Sequence, residues 1–558
     1  MIKPVVWTIA GSDSGGGAGI QADLHTFHAL GVHGCSVIVA LTAQNSKQVK
    51  HIEFSSPDMI RTQISALLED LPPQAVKMGM LGSLTTLQTM MPFLAALPVP
   101  IVYDPVLFAS VGDALYAGNV RDYLLQYILP KVTLLTPNLP EAEWLLQTKI
   151  NSNAEMEQAA QRLLALGPQS VLIKGGHAAS QMRYSQDYWT DGQQAFWLSS
   201  ERLSVMHRHG SGCTLSSAIT ACLAQDYSMA DALVIAKAYV NQGIRLAVPI
   251  GAGPGPIAHG GWPMEGKDIP YLTEHSVVNE EAAFLDCGEE PLGFYPIVDS
   301  WAWVEKLIRA GVRTIQLRVK DGQSSHSQEP LLKNTSAFAS PLVGEADAVR
   351  RRVRGGTRRN TPHPDPLPQG ERESSHEGSV TECSTPHPDP LPQGEREDEK
   401  RHLIALAKQQ GVRLFINDDW RLALAEGAYG VHLGQSDLVD VDWHALRQAG
   451  IRVGISTYSY ADFARARAIR PSYVGIGPVY PTTSKQINKP PVGLERLRQY
   501  CQLLDCPVVA IGGINWERLP GVLATGIAGV AVISAVTKAE DPLGEVRRWK
   551  KMIGDAYR

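Results

Sequence analysis

The string GSGCTLSSAI at 210–219 sets two glycines and a serine directly ahead of a helix-forming run. The amino end of such a helix carries partial positive charge and stabilises negative charge on a transferring phosphoryl group. Cys213 falls in the first turn, where the same dipole is expected to lower the thiol pKa and make a thiolate base available near neutral pH. The plain alternative is a small buried hydrophobe. A second glycine-rich stretch, Gly11 to Gly19, follows a strand-like run and precedes IQADLHTFHAL, a place where backbone N–H groups meet an anion or a tightly packed ligand. It lacks the Lys-Ser/Thr of a Walker loop, so a close strand-to-helix turn explains it equally well.

A different constellation occupies the carboxy half. In GVRTIQLRVKD, Gln316, Arg318 and Lys320 alternate and leave one face of a strand, and two cations on one face suit a diphosphate. INDD ends the next strand with Asn417 and Asp418, and VHLGQSD brings Asp437, a pair of carboxylates able to share one Mg2+. PVYPTTSK then presents Thr482, Ser484 and Lys485, while IGGI and VISA supply Gly512, Gly513, Ile533 and Ser534.

The elements that position these residues are of two kinds. From Val5 to about Pro256, short β-rich runs (VVWTIA, CSVIVAL, AVKMGM, PIVYDPV, VTLLTPN, SVLIKGG) alternate with helical stretches, which predicts a mainly parallel sheet between helices. Residues 261–292 mix Gly, Pro and acidic residues without periodicity and read as a linker. From 293 to 558 eight apolar strands follow (FYPIV, RTIQLR, RLFIN, YGVHL, IRVGI, YVGIG, PVVAI, GVAVI), each ending in a polar or glycine-bearing segment. Eight βα units predict a closed barrel with its chemistry on the carboxy-terminal rim, phosphate sites commonly following strands seven and eight. One interval breaks the spacing: 322–398 contains TPHPDPLPQGERE twice, at 361–373 and 385–397, beside a basic cluster at Arg350 to Arg359. Many prolines and few apolar residues predict an inserted, disordered tract rooted beside Lys320.

At 558 residues, 44% hydrophobic, the chain has material for two cores. A formal charge of −5 gives no general attraction to nucleic acid or to anionic membranes, so small-molecule substrates are the expected partners, with a homo-oligomer allowed. Seven scattered cysteines without a Cys-x-x-Cys pair indicate neither a disulfide framework nor a zinc site, and no apolar run reaches the length of a membrane span. A cytoplasmic chain is expected.

Through TIAGSDSGGGAGIQADL, GCSVIVALTAQNS, KMGMLGS, TPNLPEAEWLL, KGGH and HGSGCTLSSAI, residues 5 to about 260 resemble the hydroxymethylpyrimidine/phosphomethylpyrimidine kinases of the ribokinase-like group. The resemblance implies an α/β/α sandwich at 1–260. It makes Cys213 the base that deprotonates the hydroxymethyl group, with the amides of Gly210, Ser211, Gly212 and Cys213 stabilising the developing charge. It also implies a pyrimidine against Gly11, Asp23, Gln44 and Met80, and an ATP–Mg2+ side at Asp104, Asn138, Glu141 and Lys174. Leu107 departs from the smaller or more flexible residues usual near the pyrimidine. A kinase acting on pyridoxal is the rival.

The strings YPIVDS, GVRTIQLRVKD, LFINDDWRLAL, AYGVHLGQSDL, GISTYS, PSYVGIGPVYPTTSKQ, VAIGGI and VAVISAV resemble thiamine-phosphate synthase, a (β/α)8 TIM barrel. The resemblance implies that Gln316, Leu317, Arg318, Val319, Lys320, Asn417, Ser456 and Lys485 hold a pyrimidine diphosphate. Asp418 and Asp437 would hold its Mg2+, and Thr482, Thr483, Ser484, Gly513, Ile533 and Ser534 a thiazole phosphate. The two halves together imply a fused kinase and synthase of thiamine biosynthesis using ATP and Mg2+. The rivals are a thiazole tautomerase and a barrel left non-catalytic by the insertion.

Overall fold

The computed structural model describes residues 3–107, 120–176, 183–203, 205, 207–263, 265–278, 281–319, 393–482 and 490–557. The chain divides into two compact units, Met1–Val319 with Asp398–Arg558, and Lys320–Glu397. The tract expected to be disordered lies outside the described residues, except at its end. There the helix Gln393–Gln409 takes in the last residues of the second repeat, because QGEREDEKR is free of proline and rich in helix formers that lead into LIALA.

Ten strands form the first sheet: β1 Val5–Asp13, β2 His33–Gln44, β3 Val49–Phe54, β4 Ala75–Met78, β5 Ile101–Tyr103, β6 Leu134–Leu135, β7 Val171–Lys174, β8 Tyr184–Thr190, β9 Ala195–Glu201 and β10 Tyr271–Thr273. Their spatial order is β10-β9-β8-β7-β6-β5-β4-β1-β2-β3. The six strands legible as apolar runs pair in parallel, while β3, β8, β9 and β10 extend both edges antiparallel. Alternate side chains sort between two cores: Val6 joins Phe27, Leu215 and Leu233 beneath one layer of helices, and Trp7 and Ile9 join Ile60, Leu87 and Leu145 beneath the other. The sheet is therefore buried on both faces, as its near-continuous apolar strands require.

The second fold closes β11 Gly293–Val298, β12 Thr314–Leu317, β13 Arg413–Asn417, β14 Gly430–Leu433, β15 Arg452–Thr457, β16 Tyr473–Ile476, β17 Val508–Ile511 and β18 Gly529–Val532 into a parallel barrel in sequence order, with β18 pairing back onto β11. Its interior holds Tyr295, Ile297, Phe415, Tyr473 and Val509. Glycines on neighbouring strands make room for the rings: a Cβ on Gly430 would stand 2.5 Å from Phe415, and one on Gly454 2.2 Å from Tyr473.

The stretch 261–292 is not the free tether its composition suggests. Tyr271–Thr273 add the tenth strand by pairing with Trp197–Ser199. The Trp262 indole N–H donates to Tyr460 OH at 3.0 Å, and Phe284 packs edge-on to Trp443. The barrel helix Tyr460–Ile469 packs on β10 and on the helix Met229–Arg245, and Asp231 accepts the Ala461 amide at 2.9 Å. Scattered aromatics in a Gly/Pro-rich stretch thus tie the first sheet to the barrel.

Candidate functional site

The first cleft lies at the carboxy ends of the parallel strands, where open α/β sheets place ligands. Gly210 has φ +80, and a Cβ there would stand 1.9 Å from the Gly17 carbonyl oxygen, so glycine alone lets the 11–19 loop close on the start of the helix Ser211–Leu223. A Cβ on Gly212 would lie 3.5 Å from Lys174 Nζ and 3.6 Å from Asp104 Oδ2. Lys174 donates to Asp104 Oδ1 at 2.5 Å, so this ion pair borders the turn that carries Cys213. Glu141, also buried, has its carboxyl pushed up to about 7 by burial, with Lys174 opposing and Asp104 adding to the rise. On the other side Met80 packs with Ala40, Ile52 and Val106 beside Gly11, and Gln44 Nε2 comes within 3.5 Å of His209 Nε2. The structure therefore brings Gly11, Gln44, Met80, Asp104, Glu141, Lys174 and 210–213 to one edge of the sheet.

Four expectations change here. The amides of Gly15, Gly17 and Ala18 are turned onto the Asp13 carboxylate at 2.8, 3.1 and 2.9 Å, so the glycine loop carries its own anion. Burial alone would raise the Asp13 pKa, but His209 and these amides hold it below the ordinary value. Asp23 is wholly buried and accepts from Thr8, from Ser217 and twice from Lys77, which occupies its lone pairs within the core and leaves none for a pyrimidine. Asn138 and Glu141 form a reciprocal capping box on the helix Leu139–Leu146, so the Asn138 side-chain oxygen serves the backbone. Finally, the crowding around Cys213 pushes its thiol up to about 11, against the expected lowering, because desolvation outweighs the opposing Lys77 charge. Lys77, Asp13 and His209 escaped the sequence reading; a lysine inside the buried run AVKM was the available signal.

On the barrel rim, Asn417 ends β13, and Asp418 takes φ +65 with its amide donated to the His432 carbonyl at 2.9 Å. Its carboxylate meets that of Asp437, which also accepts the Gly434 amide at 3.0 Å. Burial and the Asp437 charge push Asp418 up to about 6, with Arg318 opposing. Two carboxylates held together against their own repulsion suit a cation, and Mg2+ takes one or two carboxylates together with substrate phosphates. Among the described residues no group of three His, Cys, Asp or Glu is arranged for a metal.

Ser456 Oγ lies 2.9 Å from His432 Nε2, and Gln316 Nε2 donates to Tyr295 OH at 3.3 Å. Burial pushes the His432 imidazole down to about 4, so it is neutral at pH 7. Leu317 is buried and Val319 is half exposed. After β17, Gly513 at φ +67 packs so closely on Pro481 that a Cβ would stand 2.5 Å from its carbonyl oxygen, beside Thr482. Ile533 and Ser534 follow the neighbouring β18. Lys320, Thr483, Ser484 and Lys485 lie outside the described residues. His432, Tyr295 and Tyr473 were missed, although a histidine in the buried strand GVHL signals a polar partner inside the barrel.

Residues 13–258 match the phosphomethylpyrimidine kinase family, and residues 388–536 match the thiamine monophosphate synthase family. Over its whole length the chain is 31% identical to thiamine biosynthetic bifunctional enzyme TH1, chloroplastic, of Arabidopsis thaliana, and covers 94% of that enzyme. The chain belongs to the bifunctional thiamine biosynthetic enzymes. Its first half is 44% identical to the hydroxymethylpyrimidine/phosphomethylpyrimidine kinase of Streptomyces coelicolor, over 46% of this chain and 94% of that kinase. Among solved structures, a pyridoxal kinase from Staphylococcus aureus in complex with AMP-PCP and pyridoxal shares 33% identity, with a TM-score of 0.43, over 47% of this chain and 94% of its own.

This bifunctional thiamine biosynthetic enzyme thus carries a kinase half with a ribokinase-like fold and a synthase half built on a TIM barrel. A tautomerase and a barrel without catalysis are not favoured beside a full-length bifunctional relative. The expectation of a cytoplasmic chain is corrected, because the full-length relative is chloroplastic. The free cysteines among the described residues do not distinguish one compartment from another. No helix among the described residues is long and apolar enough to cross a membrane.

Proposed function

We propose that the kinase half phosphorylates 4-amino-5-hydroxymethyl-2-methylpyrimidine and then its monophosphate at the Cys213 cleft, and that the barrel rim couples the resulting diphosphate to 4-methyl-5-(2-phosphoethyl)thiazole. The observation that carries this is the charge sorting in one chain. Lys174 and Asp104 border the Cys213 turn, and Asp418 and Asp437 stand together beside Arg318.

In the kinase half, Gly11, Met80 and Gln44 receive the pyrimidine, the Gln44 amide offering a donor and an acceptor to the ring edge. Cys213, acting through the thiolate fraction that the Lys77 charge favours, takes the hydroxyl proton as the oxygen attacks the terminal phosphorus of ATP and ADP leaves, and the amides at 210–213 face the negative charge that develops. Lys174 lies ready for a phosphate, and Asp104 and Glu141 are the hard oxygen donors that would hold Mg2+, which supplies positive charge to the ATP oxygens.

In the barrel, Asp418 and Asp437 would hold Mg2+. Gln316, Asn417 and Ser456 position the pyrimidine diphosphate, and Arg318, with Lys320 and Lys485, receives the leaving diphosphate as its C–O bond breaks. The thiazole nitrogen then donates its electron pair to the pyrimidine methylene cation, with the thiazole phosphate held by Thr482, Thr483, Ser484, Gly513, Ile533 and Ser534. Stabilising the leaving group is the main task of this site.

The test is mass spectrometry of products after incubating the whole chain with the hydroxymethylpyrimidine, MgATP and the thiazole phosphate. Thiamine phosphate is expected. Cys213→Ala should abolish phosphorylation and leave coupling of supplied diphosphate intact, and Asp418→Ala should do the reverse. Loss of both activities in either variant contradicts separate sites, and preference for pyridoxal by kcat/KM contradicts the pyrimidine assignment.

A further inference from the structure

Gln316 and Ser456, assigned above to one substrate from two sides, are the ends of a single buried hydrogen-bond chain. Gln316 Nε2 lies 3.3 Å from Tyr295 OH, which lies 2.7 Å from Tyr473 OH. Tyr473 OH is 2.7 Å from His432 Nδ1, and His432 Nε2 is 2.9 Å from Ser456 Oγ. The chain crosses the barrel interior from β12 through β11, β16 and β14 to β15. Its middle members Tyr295 and Tyr473 are 1% and 0% exposed, so water does not replace a missing link. Gly454 opens the space for the Tyr473 ring, and a Cβ on Gly475 would stand 3.2 Å from His432 Cε1.

Each hydroxyl has one proton to donate and a neutral imidazole has one N–H, so such a chain is fully satisfied in only two senses. In the first, the Gln316 amide donates to Tyr295, Tyr295 to Tyr473, Tyr473 to His432 Nδ1, and His432 Nε2–H to Ser456. Ser456 then keeps its proton for a ligand, and Gln316 Oε1 is left to accept. In the second, the amide is flipped, every bond reverses and the Ser456 proton is committed to His432. The amide orientation in the structure corresponds to the first.

We propose that this chain sets the polarity of the two substrate contacts together. Gln316 presents its carbonyl oxygen to the exocyclic amine of the pyrimidine while Ser456 donates to an anionic oxygen of the diphosphate. Tyr295, Tyr473 and His432 are positioning residues for that pair. An acceptor at one end and a donor at the other match a molecule that carries an amine and a diphosphate, and flipping either end mismatches both. The inference rests on the assignment of Gln316 and Ser456 to the pyrimidine diphosphate.

The test is a double-mutant cycle on the full-length chain, reading kcat/KM for the pyrimidine diphosphate in thiamine phosphate formation with ATP absent. In the parent, Gln316→Leu and Ser456→Ala combined should lose about fivefold less than the product of their separate losses, the size of coupling found between groups of one network. In a Tyr473→Phe background, and independently in a His432→Leu background, the same two losses should simply multiply. Phosphorylation by the same preparations reports that the kinase half is folded, and an unchanged far-ultraviolet circular dichroism spectrum and melting temperature report the same for the barrel. Multiplicative losses in the parent, or coupling that survives both breaks, overturn the chain. If neither Gln316→Leu nor Ser456→Ala lowers kcat/KM, the substrate assignment itself fails.

Discussion

Lys77 and Asp23 are both fully buried, 2.7 Å apart at their closest contact, and Asp23 is further bound by Thr8 and Ser217. Removing one partner of such a pair leaves an uncompensated charge. Lys77→Met should therefore lower stability by about 3–5 kcal/mol, and Asp23→Asn combined with Lys77→Met should recover much of it; denaturant unfolding of the three proteins decides. The thiol of Cys213, pushed up to about 11, is neutral at pH 7. Its alkylation by iodoacetamide, followed by peptide mass spectrometry, should still be climbing above pH 9; a plateau near pH 7 would restore the low-pKa thiolate. Sequence reading placed Cys213 and Gln44 at the cleft but misread Asp23. A lone aspartate on a helix looks the same whether it faces a ligand or a lysine that is distant in the chain. Asn138 and Glu141 carried the spacing of a capping box in plain view, and only the backbone could show that the Asn138 oxygen and one Glu141 oxygen were already in use.

At the scale of elements, all eight barrel strands were legible, because each is an apolar run that ends in polar residues, at regular intervals apart from the one that 322–398 interrupts. The antiparallel edge strands were not. In β3, VKHIEF, four of six residues are exposed, a pattern shared with loops. The strand glycines were readable as residues but not as spaces. Gly454→Val would drive a side chain into the Tyr473 ring, so synthase turnover should fall by at least tenfold while phosphorylation persists. Comparing the two rates in one preparation checks this.

In the whole molecule, the half-buried His259 and the buried His432 sit in different halves. Burial pushes His259 and His432 down to about 4 each. At these two sites the unfolded chain binds more protons than the folded one between about pH 4 and 6.5, so their share of stability is lost as pH falls through that window, while the raised carboxyls of Glu141 and Asp418 act in the opposite sense. The change in melting temperature from pH 7 to pH 5 should be more favourable in His432→Leu than in the parent, and equal changes in the two proteins would remove His432 from the pH response. The joint makes a separate prediction. Trp262, Tyr460, Asp231 and Ala461 bind the halves through two hydrogen bonds and an aromatic cluster. Trp262→Ala with Asp231→Ala should broaden or split the calorimetric unfolding transition, and an unchanged single peak would show that the halves do not unfold as one through this contact.

The strand β10 comes from beyond the expected kinase boundary at residue 260, and the barrel helix Tyr460–Ile469 lies against it, with Arg467 over the Tyr271 ring. Without it, β9 would offer the unpaired amides and carbonyls of Trp197 to Ser199 to any passing strand. The strand β10 therefore guards that edge against self-association. A kinase severed at residue 260 should precipitate or form intermolecular sheet, whereas one carried through Thr273 keeps its own selvedge.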